Sequence, residues 1–292
     1  MNRAAALLAA ALAFAAATAF PATPVPGGKW SFIFTDTKGR ADRPLRVYTY
    51  RSRKCDSTCP MVIVLHGAKR NGSEFRDYWV PLADHYNFLV VAPEFSQKSW
   101  PKAAGYNLGD AAETRDREKW AFAAIEHLFD EMRDGQASYV LFGHGAGAQF
   151  AQRFAILRPD NRASVIIAAN PLWYTMPEWR KEKATAPFPY SLVNGPAGEA
   201  ELRQALGRRF VLMVGDRDDD PDDESVDKAE AVMKQGEGRV DRAENFFKAA
   251  TVAARDLGVA LAWELIEVPE RVHDGEHFCT AAADLLYEKK PR

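Results

Sequence analysis

The sequence lacks the features that mark several classes of protein. It has no basic stripe, and its formal net charge is −2, so neither nucleic acid nor an anionic lipid surface is indicated as a partner. It has only three cysteines, and no second cysteine pair accompanies Cys55 and Cys59, which argues against a structural zinc site. It also has no internal repeat and no long linker between domains.

The length and the N-terminal segment indicate one exported domain. A chain of 292 residues with 47% hydrophobic content is long enough for one large core, which we place at residues 23–292. Before it, Met1–Arg3 carries a positive charge, and Ala4–Phe20 is uncharged and rich in Ala, Leu and Phe. A membrane anchor is the alternative, but this run is shorter than the roughly 20 apolar residues that span a bilayer. We predict a signal peptide at residues 1–22 and a secreted or periplasmic mature protein without stable membrane insertion.

Export makes a disulfide favourable. Cys55 and Cys59 bracket a short turn that can bring their Cα atoms within bridging distance, and we predict that they pair. Two free thiols are the alternative. Cys279 is left over in an apolar helical context, which predicts a buried and unreactive residue.

The order of the predicted elements indicates an α/β fold. From the third predicted strand onward the apolar runs are continuous, as in strands that are covered on both faces. Two opening strands followed by alternating strands and helices predict a mostly parallel sheet of about eight strands with helices on both faces. The predicted strands are 30–35, 45–51, 61–66, 88–92, 139–143, 164–169, 210–215 and 260–268. The predicted helices are 74–85, 116–133, 148–157 and 239–257.

A stretch rich in aromatic residues and prolines, residues 173–196, follows the sixth predicted strand. Such a segment is either a cap-like loop over a substrate or plain packing over the sheet edge. We predict Trp173 and Tyr174 as substrate-binding residues.

The most informative stretch is Tyr139–Phe150, in which a predicted strand enters a helix through Gly143-His144-Gly145-Ala146-Gly147. A nucleophile elbow has the pattern G-x-S-x-G in this context, but the middle residue here is Gly145. A dinucleotide loop would need G-x-G-x-x-G and an acidic residue about 20 positions on, and a phosphate loop would need G-K-[ST]. Neither pattern is present, and we predict no cofactor.

Three other stretches favour a hydrolase. The third strand ends in His66-Gly67-Ala68, a turn that supplies one amide of an oxyanion hole. The seventh strand ends in Gly215 with Asp218 three positions on, and the last strand is followed by His273. The order of nucleophile position, acid and histidine along the chain is the α/β-hydrolase order.

The chain resembles the secreted bacterial esterases of the polyhydroxybutyrate-depolymerase and feruloyl-esterase type, which have the α/β-hydrolase fold. The resemblance covers nearly all of the mature sequence, and its most specific segments are residues 64–67, 143–150, 215–218 and 272–275. It implies that Asp218 orients His273, that His273 is the general base, and that Ala68 and Ala146 supply oxyanion-hole N–H groups. It also implies a serine where this chain has Gly145.

These expectations leave three hypotheses for function. The first is a pseudoenzyme that binds a small-molecule or polymeric ester-type ligand without efficient turnover. The second is an active hydrolase in which His273 and Asp218 activate a water molecule. The third is an ordinary serine esterase altered at position 145.

Other polar residues have simpler interpretations. We expect His66 and His144 to be structural hydrogen-bonding residues. His273 and His277 have the spacing of a metal pair but no third ligand, so we predict no metal site. The acidic run from Asp216 to Glu224 is interpreted as a solvated loop rather than a calcium site, and Cys279 is rejected as a substitute nucleophile. Family spacing favours Asp218 over Asp216 and Asp219 as the acid.

Overall fold

A computed structural model of the protein describes residues 25–56, 58–218 and 229–288. Its centre is one eight-stranded sheet with the strand order β1-β2-β4-β3-β5-β6-β7-β8. The first two strands run antiparallel to their neighbours, and the other pairs are parallel. The predicted α/β fold with about eight strands is therefore confirmed. The strands are β1 Gly28–Phe34, β2 Leu45–Arg51, β3 Met61–Leu65, β4 Leu89–Glu94, β5 Tyr139–His144, β6 Ala163–Ala169, β7 Phe210–Gly215 and β8 Trp263–Val268.

Burial along the strands follows their place in the sheet. Every residue of β3, β5 and β7 is buried, because helices cover both faces of these strands. The expectation of continuous burial is wrong for β8, in which the two end residues are buried and the four between them are exposed or half-buried. Among the described strands it pairs only with β7 and forms the edge of the sheet, so part of its surface faces water.

Two apolar cores pack against the two faces of the sheet. One includes Phe122, Phe150 and Phe246, and the other includes Trp79 and Phe278. The helices are α1 Gly72–Tyr78, α2 Val80–Tyr86, α3 Lys102–Gly105, α4 Ala121–Met132, α5 Ala146–Leu157, α6 Glu199–Leu206, α7 Glu230–Met233, α8 Arg239–Leu257 and α9 Gly275–Tyr287, with a short 3₁₀ turn at Arg117–Lys119.

The predicted helices differ from the observed ones at three places. The predicted helix 116–133 is a 3₁₀ turn followed by α4, which begins only at Ala121. The predicted helix 74–85 is two helices separated at Trp79, with Pro81 in the first turn of α2. Proline has no N–H and disfavours helical backbone at the preceding residue, so the first helix ends before it. Helix α5 begins at Ala146, two residues earlier than predicted, directly after Gly145.

The structure joins Cys55 and Cys59 as a disulfide, with Cα atoms 5.5 Å apart, and buries Cys279. The predicted signal peptide lies outside the described residues. Within residues 25–56, 58–218 and 229–288, no helix is long and apolar enough to cross a bilayer.

Candidate active site

Gly145 forms the turn between β5 and α5. Its backbone has φ +57° and ψ −112°, in the left-handed region that L-amino acids with side chains rarely adopt. The Gly145 N–H donates to the Ala169 carbonyl (3.0 Å), and the Gly145 carbonyl accepts from the Gln149 N–H (3.0 Å). The turn is thus tied both to β6 and to the first turn of α5.

The two flanking glycines allow close packing of the strand, the helix and the neighbouring turn. A Cβ atom on Gly143 would lie 2.2 Å from the carbonyl oxygen of Gly147. A Cβ atom on Gly147 would lie 2.4 Å from the carbonyl oxygen of Leu65, at the end of β3. Both contacts are with backbone, which cannot rotate away, so these two positions require glycine for steric reasons.

The predicted acid and base lie beside this turn. Asp218 follows β7, His273 follows β8, and His273 Nδ1 is 2.9 Å from Asp218 Oδ2. The other ring nitrogen, His273 Nε2, is 3.2 Å from the position that a Cβ atom on Gly145 would occupy. Because parallel strands end at the same edge of the sheet, the loops after β5, β7 and β8 bring these three residues together.

The predicted oxyanion-hole residues lie at the same edge. Ala68 is exposed in the loop after β3, and Ala146 is the first residue of α5. Among the described residues, neither backbone N–H has a hydrogen-bond acceptor. Arg70 fixes this loop by donating to the carbonyls of Phe95, Trp100 (3.1 Å) and Lys102 (2.8 Å). The oxyanion-hole roles of Ala68 and Ala146 remain predictions.

Comparison with known proteins gives the family. No family model and no curated protein matches the chain, but solved structures do. Poly(aspartic acid) hydrolase-1 from Sphingomonas sp. KT-1 is 33% identical, with a TM-score of 0.83, over 90% of this chain and 100% of the other. LpqC, a poly(3-hydroxybutyrate) depolymerase from Bordetella parapertussis, is 32% identical, with a TM-score of 0.84, over 91% and 92% of the two chains. The chain belongs to the α/β-hydrolases of the polyhydroxybutyrate-depolymerase type. An S-formylglutathione hydrolase from Agrobacterium tumefaciens, at 16% identity and a TM-score of 0.55, shares the fold.

Arg239, which the sequence analysis did not single out, contacts the predicted acid. We call Asp218, His273 and Arg239 the acid–base arm. Arg239, the first residue of α8, is fully buried, and its Nη1 donates to Asp218 Oδ1. Asp218 is itself buried and lies between the guanidinium and His273. A cation is disfavoured at a helix N-terminus by the helix dipole, so the position of Arg239 is explained by its carboxylate partner. An arginine in the first turn of a predicted helix is unusual, and this could have indicated a carboxylate partner from the sequence.

The two other histidines near the elbow of the hydrolase differ in their contacts. His66 Nε2 accepts from the Phe95 N–H (3.0 Å), and burial lowers the pKa of His66 to about 4. His66 thus fits the expected structural role. His144 does not, because its buried Nε2 has no partner among the described residues. Its ring packs 4.6 Å from the ring of His273, and burial lowers the pKa of His144 to about 3.

The predicted substrate-binding residues of the hydrolase lie in different surroundings. Tyr174 is fully buried and stacks on Phe246 at a ring distance of 4.5 Å, so its substrate-binding assignment does not fit the structure. Trp173 is 8% exposed and packs 5.0 Å from the ring of Tyr190. The substrate-binding role of Trp173 therefore remains a prediction, as does a cap-like role for residues 173–196.

The remaining candidates of the sequence analysis stand apart from the acid–base arm. Asp216 accepts a hydrogen bond from the Arg271 N–H (3.3 Å), and residues 219–224 of the acidic run lie outside the described residues. His277 pairs with Asp274 (3.0 Å). Burial raises the pKa of the Cys279 thiol far above its ordinary value, which disfavours the nucleophilic thiolate.

A surface cavity of about 240 Å³ between residues 177–183 and the second half of α8 includes none of the elbow or arm residues.

Proposed function

We propose that this hydrolase is a pseudoenzyme, exported to the periplasm or the medium, that binds an ester-type ligand at the elbow without efficient turnover. The observation that carries the proposal is Gly145, which has the elbow backbone conformation but offers no nucleophilic atom beside His273 Nε2. Loss of the nucleophile from a catalytic triad lowers turnover on the order of a millionfold, about 8 kcal/mol in activation free energy. An oxyanion hole and binding alone leave roughly a thousandfold over the reaction in water.

The remaining groups favour binding of a carbonyl compound. The N–H groups of Ala68 and Ala146 have no acceptor among the described residues, and a ligand carbonyl oxygen supplies one. His273 Nε2 faces the elbow because Asp218 bonds the other ring nitrogen. Two relatives, a poly(aspartic acid) hydrolase and a poly(3-hydroxybutyrate) depolymerase, support a polymeric or oligomeric ligand with repeated carbonyl groups.

Restoration of the nucleophile tests the proposal. A Cβ atom at position 145 would lie 3.2 Å from His273 Nε2, so a shift of a few tenths of an ångström accommodates Gly145→Ser and places its hydroxyl beside the imidazole. We expect the hydrolysis rate of an activated short-chain ester to rise by several orders of magnitude, together with an acyl-enzyme burst that the unaltered protein lacks.

The matched control is the double variant Gly145→Ser/His273→Ala, which has the hydroxyl but no base and should lose most of the gained rate. A stoichiometric burst from the purified unaltered protein would contradict the pseudoenzyme hypothesis. A folded Gly145→Ser variant without activity on a broad panel of esters would show that the remaining site no longer supports hydrolysis.

One observation favours a second candidate function, slow hydrolysis by a water molecule that His273 activates. The open Nε2 of His273, with Asp218 behind it, is the arrangement of a general base. In the unaltered protein, His273→Ala should abolish the residual ester hydrolysis if this candidate is correct and leave it unchanged if the ligand is only bound. The third hypothesis, an ordinary esterase altered at position 145, predicts full activity for Gly145→Ser.

A further inference from the structure

Arg153 on α5 is a buried cation without a carboxylate partner among the described residues. Its side chain is fully buried, and its Nε donates to Thr175 Oγ1 (2.9 Å). Its Nη1 donates to the carbonyls of Gln149 (3.0 Å) and Asn107 (3.3 Å). All three acceptors are neutral, and burial lowers the pKa of Arg153 to about 9. A buried charge without a counter-ion is costly, so its retention needs an explanation.

One terminal nitrogen of this guanidinium has no hydrogen bond. Arg153 Nη2 is buried and has no acceptor among the described residues. Arg70, which also lacks a carboxylate partner, uses both of its terminal nitrogens on backbone carbonyls. Arg239 meets the carboxylate of Asp218.

The position of Arg153 relates it to the elbow. Gly145, Gln149 and Arg153 follow one another at intervals of four residues and therefore share one face of α5. At a rise of about 1.5 Å per residue, the backbone of Arg153 lies roughly 12 Å along the helix from Gly145. Its guanidinium lies nearer to the elbow, because Nη1 donates to the carbonyl of Gln149 (3.0 Å).

Two aromatic rings separate this guanidinium from solvent. The Arg153 guanidinium carbon lies 4.2 Å from the ring centre of Trp173, and that ring packs against Tyr190. Trp173 is 8% exposed, so it forms the outer layer over the fully buried arginine. A ligand that reaches Arg153 from this side must therefore displace the Trp173 ring.

We propose that Arg153 is the anion-binding residue of a second subsite, which takes a carboxylate of the same ligand whose ester group lies at Gly145. The inference rests on the proposed function, because it places the ester at the elbow. The carboxylate accepts a charge-assisted hydrogen bond from Nη2 and gives the buried guanidinium its counter-ion. The ligand class is an acidic ester with its carboxylate within roughly 12 Å of the ester carbon.

A homologous series of linear dicarboxylic acids tests this assignment on the unaltered protein. The monomethyl esters carry one ester and one carboxylate, and the dimethyl esters are matched ligands without charge. We expect calorimetry to show that the monomethyl ester binds about tenfold more tightly than the dimethyl ester, as charge-assisted hydrogen bonds imply. The preference should appear only for chains long enough to span from the elbow to Arg153.

Two variants locate the preference. Arg153→Met should abolish it, whereas Arg158→Met should retain it, since Arg158 lies at the end of the same helix and pairs with Asp160. If Arg153→Met does not fold, the ester series on the unaltered protein still decides. Binding of the dimethyl esters without a preference for the monomethyl ester at any length overturns this inference alone. A preference that persists in Arg153→Met overturns it as well. Failure of both ester series to bind overturns the proposed function and the subsite together.

Discussion

The elbow and the acid–base arm differ in the reactive groups that they contain. At the elbow, the backbone turn and the tight glycine contacts are intact, but Gly145 carries no reactive group. In the arm, Asp218 still bonds both His273 and Arg239. The elbow lacks a side chain that could react, whereas the arm has side-chain contacts among three elements.

The physical reason lies in the cost of changing each part. A residue other than glycine at the elbow adopts a backbone conformation that costs about 1–3 kcal/mol, so glycine at position 145 relieves strain. In the arm, replacing Asp218 would remove the carboxylate from the buried guanidinium of Arg239, which is strongly destabilising. Removal of Asp218 is therefore costly to the fold whether or not position 145 carries a nucleophile.

The largest effect should come from the arm once the nucleophile is restored. In the Gly145→Ser background, Asp218→Asn keeps the shape of the side chain but removes its charge, so it destabilises the fold and no longer fixes the His273 tautomer in the molecules that remain folded. We expect a loss of about 10⁴ in kcat, measured with an activated ester. A loss of less than tenfold in kcat would show that Asp218 does not orient His273.

The contribution of the acid–base arm to stability depends on Arg239. Replacing it with methionine leaves the Asp218 carboxylate buried without its guanidinium, and we expect a loss of about 3–5 kcal/mol in the free energy of unfolding. Urea denaturation measures it. Arg255→Met is the control, because that side chain on the same helix is 77% exposed and should matter little. Equal losses of stability in the two variants would show that the ion pair of Arg239 with Asp218 does not stabilise the fold.

Within the elbow, two alanine substitutions should differ. Gly147→Ala places a Cβ atom 2.4 Å from the Leu65 carbonyl oxygen, and we expect a loss of about 3 kcal/mol in stability. Gly145→Ala meets only the His273 ring and carries backbone strain, which should cost about 1–2 kcal/mol. Thermal unfolding of both variants gives the order. If Gly145→Ala is the more damaging change, strain rather than packing dominates the elbow.

The smallest effect concerns a histidine that carboxylates hold on both sides. His127 Nδ1 is 2.8 Å from Asp36 and its Nε2 is 2.9 Å from Glu118, whereas His273 has a carboxylate on one side only. Burial opposes the charge of His127, but the two carboxylates outweigh it and raise its pKa above the ordinary 6.5. The added stability is fully present below pH 6.5 and is lost as the pH rises through the folded-state pKa.

Unfolding free energies of the unaltered protein and His127→Gln, compared across pH, test this titration. We expect a difference on the order of 1 kcal/mol at low pH that shrinks as the pH rises. A difference that is constant with pH would mean that His127 is neutral in the folded protein.

The sequence predicted most of the sheet and the positions of Gly145, Asp218 and His273, because apolar runs and glycine spacing are local signals. It also predicted α8 at 239–257 in full. The short helices α3, α6 and α7 were missed, since four to eight residues carry little periodicity.

Both differences at the site come from tertiary contacts, which local sequence patterns do not encode. The assignment of Tyr174 to substrate binding used aromatic content, which does not distinguish a ligand contact from the core stacking on Phe246 that the structure shows. Arg239 was overlooked because its partner Asp218 is distant in sequence, and the contact exists only once α8 packs beside β7.

The distance of 3.2 Å between His273 Nε2 and the missing Cβ position also has a genetic consequence. A glycine codon of the form GGU or GGC becomes a serine codon by a single base change. Since a shift of a few tenths of an ångström accommodates that side chain, a library of randomly mutated genes should yield esterase-positive colonies in one step, and sequencing should find most of them altered at codon 145.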